Sequence, residues 1–321
     1  MRPPEFWQRG GWQAAALTPF EIITARMTAR RVARPGWQAP VPVICCGNAS
    51  VGGTGKTPLA LDILSRLQAR GVAAHALLRG HGGGSRGVTR VDPLRHDAAA
   101  VGDEALLLAE AAPCWVGADR GEAARRAVAS GAAALVMDDG LQNPTLRKDA
   151  SILLIDGAAG FGNGRLLPAG PLREPVLSAA SRCRLAVLIG DDRHGARAAL
   201  PQALPVLRAN LTPGPDMQAM AGNRVMAFAG IGRPNKFFDT LSEAGVAVVA
   251  AVPFPDHHPY TMRQVNALRR RAEAAGAALV TTAKDYARLP AGWRAGIIPL
   301  RVVLTWEDEA AFDAQLLEFV P

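Results

Sequence analysis

Residues 52–57, Gly52-Gly53-Thr54-Gly55-Lys56-Thr57, constrain the architecture of this chain more than any other stretch. They fall between an apolar run, Val41–Cys46, and a segment of helical spacing, Pro58–Arg70, that Gly71 stops. A glycine-rich loop between a strand and a helix points successive backbone N–H groups, and the positive end of the helix, at one place. That is a seat for phosphate. Lys56 would neutralise the β- and γ-phosphates of a nucleotide, and Thr57 would offer a hydroxyl to Mg²⁺. Of the 36 Lys and Arg residues only Lys56, Lys148, Lys236 and Lys284 are lysines, so a Gly-Lys-Thr at this boundary is improbable by chance.

The alternation continues beyond the loop. Ala73–Leu78, Ala133–Met137 and Ile152–Ile155 read as buried strands, with Glu104–Ala112 and Glu122–Ser130 as helices. After a Pro/Gly-rich break at Leu211–Asp216 a second series begins: Val225–Ala229, Phe237–Ala244, Val246–Val252, Met262–Ala275 and Ala278–Thr281. The pattern predicts a P-loop NTPase-like α/β fold, a doubly wound and mostly parallel sheet, with a second, smaller α/β lobe. Residues 1–34 are expected to form an N-terminal region, 35–216 the nucleotide-binding domain and 217–321 the smaller lobe. The runs Val206–Leu211 and Ile297–Leu304 are expected to pair as its hinge.

A phosphate loop needs a metal-binding acid at the end of a neighbouring buried strand. Asp138 and Asp139, directly after Ala133–Met137, meet that description, and Ile155-Asp156-Gly157 imitates it more weakly. A group that deprotonates an acceptor is also required. Asp103 and Glu104 at a helix start are candidates, as are His257 and His258 in Pro255-Asp256-His257-His258-Pro259. A carboxylate from one lobe and an imidazole from the other would make a base completed when the lobes close. Arg79, Arg173 and Lys284 are candidate phosphate contacts. No Asn/Thr-Lys-x-Asp element for guanine is found, which favours adenine.

The N-terminal segment has two readings. Thr18, Pro19 and Glu21 resemble an N-cap, a first-turn proline and a capping-box acid, and Phe20, Ile23 and Met27 form one apolar stripe beside Arg26, Arg30, Arg31 and Arg34. The stripe suits a membrane interface or packing on the core. The formal net charge of +8 favours anionic partners without identifying nucleic acid. Cys45, Cys46, Cys114 and Cys183 have neither metal-site nor disulfide-framework spacing, which fits a reducing cytosol. No stretch is long and apolar enough to span a membrane, and no export signal is evident.

Taken in order, the segments resemble the tetraacyldisaccharide 4′-kinase family, the lipid A kinases of Gram-negative bacteria. The resemblance rests on Gly47-Asn48 leading into Gly52–Pro58, Gly102-Asp103-Glu104, Asp138-Asp139-Gly140, Leu167–Glu174, Ala229–Pro234, Asp256-His257 and Thr281–Asp285. It implies transfer of the ATP γ-phosphate to the 4′-hydroxyl of a tetraacylated glucosamine disaccharide 1-phosphate, with Mg²⁺, at the cytoplasmic face of the inner membrane. Position by position it implies that Lys56 and Thr57 hold phosphates and Mg²⁺, that Asp138 and Asp139 serve the metal, and that Asp103 is the base, supported by His257. Arg173 and Arg120 become candidate phosphate or sugar contacts. It also favours the interfacial reading of the N-terminal helix, with Phe6, Trp7 and Trp12, and implies neither a nucleic-acid partner nor an obligate protein partner. Leu141 and Asn143 stand where the family usually has Phe and His, and Leu78 and His81 where it has Ser and Tyr. The alternative is a partitioning-type P-loop ATPase or metallochaperone, suggested by Gly52-Gly53. Val51 occupies the position of that group's signature lysine, and no Cys pair is available for metal delivery.

Overall fold

A computed structural model describes residues 4–80, 83–84 and 87–320 of the chain. Thirteen strands form among them: β1 (Val43–Gly47), β2 (Ala74–Leu78), β3 (Thr89–Arg90), β4 (Cys114–Val116), β5 (Ala134–Asp138), β6 (Ala150–Asp156), β7 (Leu185–Ile189), β8 (Val206–Pro213), β9 (Arg224–Ala229), β10 (Ala247–Pro253), β11 (Ala278–Thr282), β12 (Ile297–Leu300) and β13 (Val302–Trp306). Nine build one sheet in the order β13-β8-β7-β6-β1-β5-β2-β4-β3, and four build a second, β10-β9-β11-β12. The large sheet is parallel except at its two edges, where β13 runs against β8 and β3 against β4. The small sheet is parallel throughout.

Strands β1, β2, β5, β6 and β7 are buried along their whole length, because helices cover both faces of a parallel sheet. Alternate residues of one strand therefore enter different cores. Ile44 and Cys46 pack towards the helices Lys56–Ala69, Asp103–Ala111 and Glu309–Phe319, while Val43 and Cys45 pack towards Arg120–Ala129 and Val176–Ala180. This is the doubly wound arrangement that the alternation predicts, with element ends shifted by a few residues. Strand β7 carries the same unbroken apolar signal as β5 and adds to the predicted set, as do the short β3 and β4.

Three expectations are corrected. The run 297–304 is not one hinge strand: β12 belongs to the small sheet, and β13 alone pairs with β8. The chain changes sheets at Arg301, whose carbonyl accepts from Gly214 N at 2.9 Å and whose N–H donates to Asp216 Oδ2 at 3.1 Å. Residues after the crossing return to the large lobe. The helix Glu309–Phe319 buries Phe312, Leu316 and Phe319 in the core that holds Leu59, Ile63 and Leu67 of the loop-following helix, so residues 217–321 are not one lobe. The attachment is also polar: Arg66 contacts Asp62, Glu309 and Asp313 at 2.9, 2.7 and 2.8 Å.

The N-terminal helix starts at Trp12, not Thr18, and runs to Val32 with Pro19 inside it. Gln13-Ala14-Ala15-Ala16-Leu17 is made of strong helix formers, which outweighs the proline's missing N–H at the turn where Thr18 donates its hydroxyl to Ala14 O at 3.0 Å. Among the described residues no helix is long and apolar enough to cross a membrane.

Phe312 is fully buried, with its ring stacked on Trp306 at 3.8 Å between centroids. Phe312→Ala is expected to cost about 3–5 kcal/mol of stability in urea titration. Because the terminal helix shares the core of the loop-following helix, the midpoint for unfolding of the large lobe shifts with it.

Candidate active site

The carboxyl end of the large sheet concentrates the unusual residues, as expected where strand order reverses in an open α/β sheet. Strand β1 lies between β6 and β5, and its parallel register sets Cys46 against Asp138. The loop after β1 and the acids ending β5 are therefore neighbours by construction. The loop rises through Gly52 at φ +117° and closes at Gly55, φ +86°, directly before the helix Lys56–Ala69. Its positive φ makes glycine the favoured residue at Gly55, and a Cβ there would also oblige the Ile189 side chain to move, its Cδ1 lying 2.5 Å away.

Thr57 Oγ1 donates to Asp138 Oδ2 at 2.9 Å, and Lys56 Nζ lies 3.3 Å from Asn48 Oδ1 and 3.8 Å from Asp139 Oδ1. Among the described residues, five buried side-chain polar atoms lack a hydrogen-bond partner, and four belong here: Asn48 Nδ2, Thr54 Oγ1, Arg120 Nε and Asp138 Oδ1. Buried polar groups are normally satisfied, so four orphans around one loop point to a polar ligand. Burial, reinforced by Glu104 and resisted by Lys56, pushes the Asp138 carboxyl up to about 7. Its free oxygen and the adjoining Thr57 hydroxyl suit Mg²⁺, which takes one or two carboxylates and completes its shell with phosphate and water. Asp139, φ +53°, is engaged differently. Burial opposes its charge, but Lys56 and Arg173 outweigh that and hold it below the usual carboxylate range. Arg173 Nη1 donates to Asp139 Oδ1 at 2.9 Å.

Arg120 opens the helix after β4, with its backbone N–H on Thr145 Oγ1 at 2.8 Å and its guanidinium donating to Gly117 O. Burial lowers that guanidinium to about 10, partly offset by Asp139. Arg79, at the end of β2, lines a 570 Å³ cavity with Gly80, Asp119, Glu122 and Arg126.

The small lobe supplies the facing wall. Arg288 donates to Asp103 Oδ2 from Nε at 2.8 Å and also from Nη2, and Lys284 Nζ reaches Glu104 Oε1 at 2.6 Å. Lys284, expected on phosphate, is here the cation of an interlobe pair. Burial raises and Arg288 lowers the Asp103 carboxyl, with Lys284 and His257 adding to the lowering, and the net shift is downward. His257, φ +55°, places Nδ1 3.8 Å from Asp103 Oδ2, so the expected carboxylate and imidazole are adjacent in this structure. His258 instead packs on Phe254.

Sequence reasoning missed Arg288, Gln142, Glu174 and Arg233. Arg288 shares a helix face with Lys284 at four-residue spacing, which was the available signal. Gln142 Nε2 bridges Asn48 O and Glu174 Oε1 at 2.9 and 2.8 Å, and Arg233 holds Asp156, so that acid is committed to an interlobe contact.

A family profile described as Tetraacyldisaccharide-1-P 4′-kinase, LpxK, matches residues 13–321. The chain belongs to this 4′-kinase family. The tetraacyldisaccharide 4′-kinase of Gluconacetobacter diazotrophicus is 55% identical over 313 residues, 97% of this chain and 96% of that protein. That of Gluconobacter oxydans is 52% identical over 309 residues, 96% of this chain and 94% of that protein. A crystal structure of LpxK from Aquifex aeolicus, described as an "apo" form in complex with ATP, superposes with a TM-score of 0.76 at 24% identity, covering 96% of this chain and 99% of that one. At that identity the superposition speaks for the fold.

Within the 4′-kinase family this chain's departures have visible consequences. Leu141 is buried against Gly47, where a Cβ would come within 2.5 Å of its own Cβ. Asn143 accepts from Thr145 N at 3.0 Å and Thr145 Oγ1 at 2.9 Å, and so braces the loop that holds Arg120. Leu78 is buried at the end of β2, and His81 lies outside the described residues.

The folded protein keeps a proton on Asp138 that the unfolded chain releases near its usual value of 3.8. In the absence of nucleotide or divalent cation, the contribution of Asp138 to stability is then full below its unfolded value of 3.8 and lost as pH rises through about 7. Asp138→Asn should abolish that slope. Thermal melts should coincide with wild type in acid and exceed it at alkaline pH, while stabilisation by Mg²⁺-nucleotide disappears.

Proposed function

We propose that this chain transfers the γ-phosphoryl group of ATP to the 4′-hydroxyl of a tetraacylated glucosamine disaccharide 1-phosphate in lipid A biosynthesis. The observation that carries the reading is the set of unsatisfied buried atoms on Asn48, Thr54, Arg120 and Asp138 around Lys56 and Thr57, in a chain of the 4′-kinase family. The amides of Gly52, Gly53, Thr54 and Gly55 and the helix start behind them receive the phosphates, and Lys56 neutralises them. Mg²⁺, held by Thr57 and Asp138 with Asp139 beside them, would offset charge on the β- and γ-phosphates. Asp103 takes the proton of the sugar hydroxyl, with His257 beside it, and Arg288 holds the carboxylate in place. Arg120 and Arg173 face the transferred phosphate and Arg79 guides the anionic substrate, while Lys284 holds Glu104 across the lobes.

The N-terminal helix supports placement at a membrane surface. Its inward side mixes Ala14, Leu17 and Ala25 with Thr18, Glu21, Thr24 and Thr28, while Ile23 and Met27 stand 55% and 58% exposed beside Phe20 and Ile22. The larger apolar residues thus stand on the side away from the body, which favours an interfacial role for the stripe over core packing. A four-chain lipid gains about 0.8 kcal/mol per buried methylene, so it stays in the bilayer and the enzyme goes to it. We place the protein peripherally on the cytoplasmic face of the inner membrane.

The deciding assay offers radiolabelled γ-phosphate and the disaccharide lipid in detergent micelles. Label should appear on the lipid. Equal ATP hydrolysis with and without lipid would mean a hydrolytic switch acting on a protein partner instead. Asp103→Asn is expected to lower kcat by about 10²–10⁴ with nucleotide affinity retained. Arg288→Gln removes the charge that keeps Asp103 ionised, so the acidic limb of its pH–rate profile should move to higher pH. The double variant Ile23→Asp, Met27→Asp should sediment poorly with anionic vesicles while phosphorylating a short-chain, micelle-free acceptor at the wild-type rate.

A further inference from the structure

The N-terminal helix is attached to the body in an unusual way: of its 21 residues only Ala14 is buried. Polar bonds to a single segment, Arg165–Glu174, do much of the holding. Thr24 Oγ1 donates to Leu167 O at 2.6 Å and Thr28 Oγ1 to Arg173 O at 3.0 Å. Ahead of the helix, in the short turn Phe6–Arg9, Trp7 Nε1 donates to Pro168 O at 3.0 Å. Arg165 returns a bond to Thr18 Oγ1 at 2.7 Å.

The other side of the same segment is bonded to the phosphate loop. Val51 N donates to Pro171 O at 2.8 Å, Arg173 N donates to Ala49 O at 2.7 Å, and Ser50 pairs with Leu172 in an isolated antiparallel bridge. Arg173 then extends its guanidinium to Asp139. The segment has no helix and no ladder of its own, yet it is tightly packed. A Cβ at Gly170 would fall 2.4 Å from the Arg165 carbonyl oxygen, and one at the neighbouring Gly162 would fall 2.7 Å from Pro171 Cγ. A close-packed segment transmits a displacement rather than absorbing it.

We propose that Thr24 and Thr28 are positioning residues for the nucleotide site. By fixing the carbonyls of Leu167 and Arg173 they seat the 165–174 segment, which sets Ala49–Val51 and carries the Arg173 side chain to Asp139. The helix is thus a structural member of the phosphate loop as well as a surface anchor. The inference rests on the nucleotide reading of residues 52–57.

The test uses the full chain and measures equilibrium binding of a fluorescent ATP analogue with Mg²⁺, steady-state kinetics, and sedimentation with anionic vesicles. Thr24→Val, Thr28→Val keeps side-chain shape and removes both donors. It should raise the Kd for the analogue and the KM for ATP together by about five- to twentyfold. The KM for lipid and vesicle binding should not change. Thr24→Ser, Thr28→Ser should restore wild-type values. If the double valine variant does not fold, Thr28→Val alone should show a smaller rise in Kd, again reversed by Thr28→Ser. Wild-type nucleotide affinity in the valine variants overturns the inference, as does a loss confined to lipid KM or one that serine does not reverse. Failure of the wild-type chain to bind the analogue overturns the nucleotide reading itself, and the inference with it.

Discussion

The hydroxyl of Thr57 on the carboxylate of Asp138 is the contact around which the large lobe is organised. It exists because β1 and β5 are parallel neighbours in a register that ends both at the same level. A carboxylate this buried, with one oxygen unpartnered, is a net cost to the fold in the absence of a cation. The protein carries that cost at the end of a strand whose neighbours are buried in apolar cores on both faces of the sheet. Such an arrangement is consistent with a site whose missing partner arrives with the substrate.

From this point the neighbouring charges follow. Asp139 cannot share the orphaned state of Asp138 without two adjacent bare carboxylates, and it is paired with Arg173 and approached by Lys56. Arg173 is delivered by a segment that Glu174 also anchors: its carboxylate accepts from Arg182 at 2.8 Å and from Gln142 at 2.8 Å. The Glu174 carboxylate is buried while Arg182 keeps part of its surface in water, so loss of these donors would strand a buried charge and loosen the segment that carries Arg173.

The parts legible in the sequence were those whose signal is local. The glycine loop, the apolar runs of β1, β5 and β6, the Asp pair after β5 and the Asp103–Glu104 helix start each announce themselves within a few residues. Unread residues act through distant partners: Arg288 meets Asp103 185 positions away, Arg233 meets Asp156 77 away, and Gln142 meets Glu174 32 away. Among 32 arginines in the chain the local marks are weak: Arg288 stands four residues after Lys284 and Arg233 falls within Ala229–Pro234, but neither position names its distant partner. The early start of the N-terminal helix was hidden because Thr18-Pro19 imitates a first turn. The exposure of Phe20, Ile23 and Met27 was hidden because periodicity gives a face but not which side of it meets protein. The split of 297–304 at Arg301 falls inside an apolar stretch, where hydropathy cannot mark a change of sheet.

The two lobes meet through Ala287, buried in the core of the large lobe, and through ion pairs, among them Asp103 with Arg288, Glu104 with Lys284 and Asp156 with Arg233. Each large-lobe member of these three pairs is a carboxylate at the mouth of the phosphate site, and each small-lobe member is a cation. An incoming nucleotide brings several negative charges to that mouth and competes for the same three cations. Arg288 is the critical case. Clamped on Asp103 Oδ2 it keeps the carboxylate ionised and fixed, while Oδ1, which accepts from the Glu104 N–H at 2.9 Å, retains lone pairs for a proton. The proposed base and a contact that joins the lobes are therefore one interaction, and the placement of that carboxylate is tied to the position of the small lobe through the Arg288 guanidinium.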